Sequence, residues 1–374
     1  MRFPEFSGEW ERCKVKDFTK VVAGATPSTS NKEYWGGDIR WMNSGELNLK
    51  RVYEVQGRIT QLGYEKTSTK IIPPQSVLIG LAGQGKTRGT AAINYVELCT
   101  NQSIASILPS DKYYPEFLYQ NIESRYKELR DISSGDGGRG GLNLQMIYNL
   151  NIPYCSISEQ RKIGDFLCLL DQRIETQRKI IEDLKKLKDA ISVRLFTSAT
   201  CGKRELSDLA TIVMGQSPSS QCYNTNNEGL PLIQGNLDIT KGKLTPRIYS
   251  SEVTKKCQAG DVILTVRAPV GEVAIADFGA CIGRGVCAIK PFDDTLSVLI
   301  YQFLQYFKPK WFSLEQGSTF TSVSRDDIMS IKVAIPSIQA IETLNILDKK
   351  ITIEDVILNN LNFQKKILIN QMFI

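Results

Sequence analysis

The chain states one plan twice, in order, so any fold it adopts must be built from two copies of a single unit. Asp17–Ser28 (DFTKVVAGATPS) matches Asp208–Ser219 (DLATIVMGQSPS), pairing Gly24 with Gly215 and Pro27 with Pro218. Arg40–Leu47 (RWMNSGEL) follows against Leu230–Leu237 (LPLIQGNL), which aligns Gly45 with Gly235. Gln75–Gly83 (QSVLIGLAG) then matches Gly260–Ala268 (GDVILTVRA), and Ala105–Pro109 (ASILP) matches Cys287–Pro291 (CAIKP). Asn149–Pro153 (NLNIP) and Lys332–Pro336 (KVAIP) each lead into a long charged segment. Within those segments Leu170–Ile174 (LDQRI) aligns with Leu347–Ile351 (LDKKI), and Ile181 and Leu184 align with Leu358 and Leu361. The period, about 180–190 residues, is far beyond a solenoid unit and is that of a domain plus a helix.

The two parts of each repeat differ in pattern. Residues 1–155 and 199–336 hold short β-type runs (SVLIGLA, DVILTVRA, GEVAIA) broken by Gly, Pro and Asn turns, with brief helical runs at Pro115–Arg130 and Leu296–Phe307. This predicts two α+β domains, each with a twisted, largely irregular sheet. Ser158–Phe196 and Ile338–Phe373 lack Pro and space their apolar residues at three, four and seven. In the first, Ile163, Leu167, Leu170, Ile174, Ile181, Leu184, Ile191 and Leu195 form the stripe; Ile351, Leu358, Leu361 and Leu368 continue it in the second. A long helix with one apolar stripe needs a partner, and the helix of the other copy is the candidate. The expected architecture is two tandem globular α+β domains separated by two long helices packed as an antiparallel coiled coil. The competing arrangement lays each helix on its own domain.

Composition narrows the chemistry. Among 374 residues there is no histidine, which removes Ser-His-Asp and Cys-His nucleophiles and His-ligated metal centres. Nine cysteines without a C-x-x-C fit neither a disulfide framework nor a thiolate zinc site, and point to a reducing cytoplasm. Apolar runs fall short of the ~18 residues of a membrane span, and the N-terminus is charged where a leader peptide is apolar. The net charge of +6 suits a polyanionic partner.

Two motifs suggest catalysis and fail on context. Val77–Ala91 (VLIGLAGQGKTRGTA) fits G-x-x-x-x-G-K-[ST] through Gly80, Gly85, Lys86 and Thr87. A phosphate loop must open a helix, yet β-prone INYV follows, and the second copy has VILTVRAPVGEVAIA in the same place. Strand, turn, strand is the shared reading. Asn151–Tyr154 (NIPY) echoes the adenine-gripping loop of amino-methyltransferases, but its second position is wrong and no glycine-rich cofactor loop accompanies it. It reads as a strand end.

Ile152-Pro153, then Ser156–Ile163 (SISEQRKI) entering a long helix with Leu170-Asp171, and the whole arrangement repeated, resembles the specificity (S) subunit of type I restriction–modification systems. The G-x-[TS]-P-S turns at Gly24 and Gly215 and the opening Trp10–Asp17 (WERCKVKD) add to the resemblance, which covers essentially the full chain. The second helix departs from it: Pro336–Asp348 (PSIQAIETLNILD) lacks the Ser-Glu pair. The resemblance implies target recognition domains at 1–155 and 199–336, each reading half of a gapped DNA sequence. The helices at 156–198 and 337–374 would act as spacers and as the docking surface for methyltransferase subunits, two of them expected. Restriction subunits would join that core. No catalytic activity, cofactor or metal is expected on this chain. S-adenosylmethionine, ATP and magnesium would sit on the partners.

For DNA contact the candidates are Thr26, Ser28, Asn43, Gln84, Lys86, Thr87, Arg88 and Arg139 in the first domain. In the second they are Ser217, Ser219, Gln234, Asn236, Arg267, Thr319, Thr321 and Arg325. Arg and Gln read guanine and adenine edges, while Lys and the hydroxyls suit phosphates. Trp41 and Trp311 are assigned to the core. Two other readings stay open at this point: a diverged DNA methyltransferase or nuclease, and a coiled-coil adaptor that binds protein.

Overall fold

A computed structural model describes residues 2–83, 85–133, 140–198, 202–313 and 322–373. The chain divides into two compact units, Met1–Gln177 with Leu358–Ile374, and Arg178–Ile357. Two long helices, Ile157–Thr197 and Ile338–Met372, each contribute one part to each unit. At 1.5 Å per residue they run about 60 and 50 Å.

In the first unit a five-stranded sheet holds Val21–Ala23, Ile104–Ile107, Val77–Gly80, Ala91–Asn94 and Arg51–Val52 in that order. A second sheet holds Arg58–Ile59, Trp35–Met42, Leu98–Thr100 and Ile71–Ile72. Its central pair is parallel, Trp41 beside Cys99 and Met42 beside Thr100. The core joins strand residues such as Val77, Ile79 and Ile93 to Phe117, Leu118 and Ile122 of the helix Pro115–Ser124.

The second unit repeats this. Ala210–Met214, Val286–Pro291, Val262–Thr265 and Val273–Ile275 form one sheet. In the other, Leu230–Ile233 lies parallel to Ala280–Ile282, with Leu232 beside Cys281 and Ile233 beside Ile282. Helix Thr295–Phe307 buries Leu299, Ile300, Phe303 and Leu304 against the first of these sheets. Gln75 and Gly260, aligned in sequence, both take positive φ, 65° and 92°.

The strand pairing corrects one sequence match. Met42 and Ile233 occupy the same place, so Asn43 corresponds to Gln234, and Gly235 to Ser44 rather than Gly45. The cause lies in the turn that follows. The Glu46 carboxylate reaches back to the Asn43 amide, whereas the shorter Asp238, one residue further on, receives the amides of Gln234 and Gly235.

The helices pack antiparallel. In the first unit Lys365 Nζ lies 2.5 Å from Asp171 Oδ1; in the second Lys188 Nζ lies 2.6 Å from Asp348 Oδ1. Along the stripe, Ile174, Ile181, Ile351 and Leu361 are buried, and Leu184, Ile191, Leu358 and Leu368 half-buried. Each helix also packs on its adjoining domain: Ile163 and Leu167 enter the first core, Ile341 and Leu344 the second. The two arrangements weighed from sequence are therefore both present. Trp41 and Trp311 are buried, and Trp41 donates its indole N–H to Ala25 O at 3.0 Å.

Candidate nucleic-acid interface

The phosphate-loop motif folds as a hairpin. Val77–Gly80 returns as Ala91–Asn94 with Val77 opposite Ile93, and no helix follows Thr87. Gly80 is required because a Cβ there would lie 2.2 Å from Thr87 O. The connection places Lys86 on the surface of the first unit, where it lines a cleft of about 480 Å³ with Asn48, Lys50 and Tyr126. Thr87 is half-exposed beside it. Arg88 points the other way: its guanidinium is half-buried and donates to Gly140 O.

Thr26, Ser28 and Asn43 lie at the ends of strands on the sheet pair. Thr26 is exposed and donates to Gln102 Oε1 at 2.5 Å. Ser28 shares a hydrogen bond with Ser30. Asn43 caps the 3-10 turn Ser44–Leu49, its Oδ1 accepting from Gly45 N and its Nδ2 donating to Glu46. The cap occupies both ends of that amide.

The second unit gathers its candidates more tightly. Ser217, Gln234, Asn236 and Arg267 line one cleft of about 610 Å³ with Tyr223 and Arg284. No carboxylate lines it, and both arginines are exposed with no side-chain partner among the described residues. Gln234 donates to the Tyr223 hydroxyl at 3.1 Å, which fixes the amide. Ser219 lies outside, its backbone N–H bonded to Glu252, and Arg325 is an exposed residue at the start of the short helix Arg325–Met329. Gln84, Arg139, Thr319 and Thr321 lie outside the described residues. Among the described residues, no group of three or more His, Cys, Asp or Glu is placed to hold a metal ion. No helix of the described residues is long and apolar enough to cross a membrane.

Sequence reasoning missed Gln102, Arg284 and Tyr223. The signal was present for the first two: N-Q-S and G-R-G each stand just before the matched strand pair ASILP and CAIKP.

A strand-rich lobe duplicated along the chain, with a basic, carboxylate-free cleft in its second copy, is also what comparison with known proteins returns. The model of the type I restriction modification DNA specificity domain matches residues 7–186 and again 200–362. The chain belongs to that family. A type I restriction enzyme specificity subunit of Methanocaldococcus jannaschii, MjaX, named as putative, is 26% identical over 368 residues, covering 90% of this chain and 85% of that protein. Another from the same organism, MjaIX, is 35% identical over 184 residues, 48% of this chain and 42% of that one. Among solved structures, the type I S subunit from M. genitalium aligns over 98% of this chain and 96% of its own, with a TM-score of 0.67 and 17% identity. A chain from a study of type I complex assembly covers 97% of each, with a TM-score of 0.60 and 21% identity. Membership of this family places the chain among the non-catalytic recognition components of these enzymes.

Proposed function

We propose that each unit reads one half of a two-part DNA target and that the paired helices set the gap between the halves. The observation that carries this is one framework bearing two chemistries. The strand-end positions that hold Thr26, Asn43 and Gln102 in the first unit hold Ser217, Gln234 and Arg284 in the second. A structural duplication kept for stability alone has no need to vary its exposed polar groups at matched sites. Lys86, Arg267 and Arg325 contribute phosphate contacts, so affinity falls steeply with salt, while side chains on the strand-end turns read base edges.

The long helices are the docking surface for methyltransferase subunits, two of them, with restriction subunits joining that complex. Leu169, Leu187, Ile353, Val356 and Phe363 support this: they stand exposed on the helices, outside the stripe. S-adenosylmethionine, ATP and magnesium belong to those partners, and the complex works in the cytoplasm.

The test is a change of length. Inserting seven residues after Gln177 and seven after Ile357 preserves both stripes and adds roughly 10 Å to each helix. Mapping the modified sites should return the same two half-sequences with the gap widened by about three base pairs at 3.4 Å each. An unchanged gap, or altered half-sequences, refutes the spacer role.

A further inference from the structure

The turns Asn101–Ile104 and Gly283–Val286 are one turn made twice. The first amide donates to the end of the central strand, Asn101 N to Met42 O at 3.0 Å and Gly283 N to Ile233 O at 2.8 Å. The fourth amide closes on the first carbonyl, at 3.2 Å in one copy and 3.1 Å in the other. The third carbonyl accepts from the residue after the hairpin strand, Leu81 N at 2.8 Å and Val266 N at 2.9 Å. Neighbouring hydroxyls brace both turns: Thr26 holds the Gln102 amide oxygen, and Ser217 Oγ accepts from Arg284 N at 3.1 Å. In the second copy a Cβ at 285 would lie 2.1 Å from Gln234 O, so the turn is clamped to the strand end.

Apart from the bond from Thr26 to the Gln102 side chain, all of this grip is on backbone. What differs is the side chain projected from the second position, Gln102 in one domain and Arg284 in the other, both exposed. Arg284 stands between two glycines in the cleft that also holds Arg267. Thr26 fixes one lone pair of the Gln102 oxygen, and among the described residues nothing takes the second lone pair or the amide N–H groups of this exposed side chain. These are the donor–acceptor pair that matches N6 and N7 of adenine. A guanidinium fork matches O6 and N7 of guanine.

We propose that Gln102 and Arg284 are equivalent base-reading residues, setting an adenine in the first half-site and a guanine at the corresponding place in the second. The assignment rests on the DNA-reading function above. The test uses the full chain with its methyltransferase subunits to select duplexes from a randomised DNA library. Wild type should return a two-part motif. Gln102→Arg should convert one base pair of the first half from A·T to G·C, a preference change of about tenfold to a hundredfold, with the second half untouched. Arg284→Gln should do the reverse in the second half alone. Arg284→Lys keeps the charge but not the fork, so guanine preference should fall while overall affinity holds. Unaltered thermal transitions establish that the variants fold. Motifs unchanged in the swaps, equal loss in both halves, or full guanine preference in Arg284→Lys overturn the assignment while leaving the two-part reading intact. A wild-type chain that selects no motif overturns both.

Discussion

Removing the Asp171 carboxylate tests whether charge fastens the first recognition domain to the helix pair. Asp171 Oδ1 meets Lys365 at 2.5 Å, and Oδ2 accepts from Arg51 at 3.0 Å and from Gln120 at 2.7 Å. The aspartate and the lysine are each only 15% exposed, so water cannot replace the lost partner freely. Breaking such a buried pair costs about 3–5 kcal/mol, mostly as the uncompensated charge left behind. Here every orphan keeps one other contact: Arg51 to Glu116, Gln120 to Glu116, and Lys365 to Glu123 at 3.3 Å. The low end applies, and Asp171→Ala should cost about 3 kcal/mol. At 2–4 °C per kcal/mol for a unit of this size, calorimetry should show its transition falling by roughly 6–12 °C. Lys365→Ala and the double variant complete a cycle whose coupling should exceed about 1 kcal/mol. Additivity within about 0.3 kcal/mol would refute the clasp.

The counterpart Asp348 is 27% exposed, so Asp348→Ala should lower the second unit's transition by less than Asp171→Ala lowers the first's, about 2 kcal/mol in the same assay. Acid should loosen the first unit. Burial pushes the Asp171 and Glu123 carboxyls up, but Lys365 with Gln120 and Arg51 at Asp171, and Lys365 with Lys50 at Glu123, leave both below their ordinary range. Their stabilisation is therefore full above about pH 4–5 and is lost as pH falls through the lowered values, so the deficit of Asp171→Ala should shrink between pH 5 and pH 2 in an unfolding titration. Gly24→Ala and Gly215→Ala should each disrupt their own unit, since the added carbon would lie 2.0 Å from Thr100 O and 2.2 Å from Gly283 O respectively. Loss of the matching thermal transition is the readout, and a wild-type transition would exclude close packing at these turns.

The order of elements was legible because duplication lets one copy interpret the other. The hairpin that follows Val77–Gly80 is legible because β-prone INYV stands where a phosphate loop would open a helix and because the second copy lacks the phosphate-loop pattern at the same place. The parallel strand pair at the centre of each recognition domain was not legible. Trp41 and Cys99 meet across 58 positions of chain, a distance at which local patterning carries no information. Nor could sequence separate Asn43 from Gln102. Both are exposed amides on strand-end turns, but one caps a turn with both ends of its amide, whereas the N–H groups of the other have no partner among the described residues. Nor does the sequence show that the Arg88 guanidinium donates to Gly140 O.

The matched clasps explain why the helices settle in one register. In each helix a lysine follows the aspartate by 17 positions, Lys188 after Asp171 and Lys365 after Asp348. Two copies of such a helix laid antiparallel bring each lysine to the other's aspartate at once, and the buried amides of Gln120 and Gln302 then complete both sites at 2.7 and 2.6 Å. A slip of one heptad, which an apolar stripe alone tolerates, would carry each pair roughly 10 Å apart and leave two aspartates and two lysines without their partners. At about 2–3 kcal/mol for each broken clasp, with Arg51, Gln120 and Glu123 still at hand in the first, the slipped registers are disfavoured more than the stripe alone disfavours them. The proposed spacer role requires a single length, and polar pairs at fixed positions supply what interchangeable Ile and Leu contacts do not.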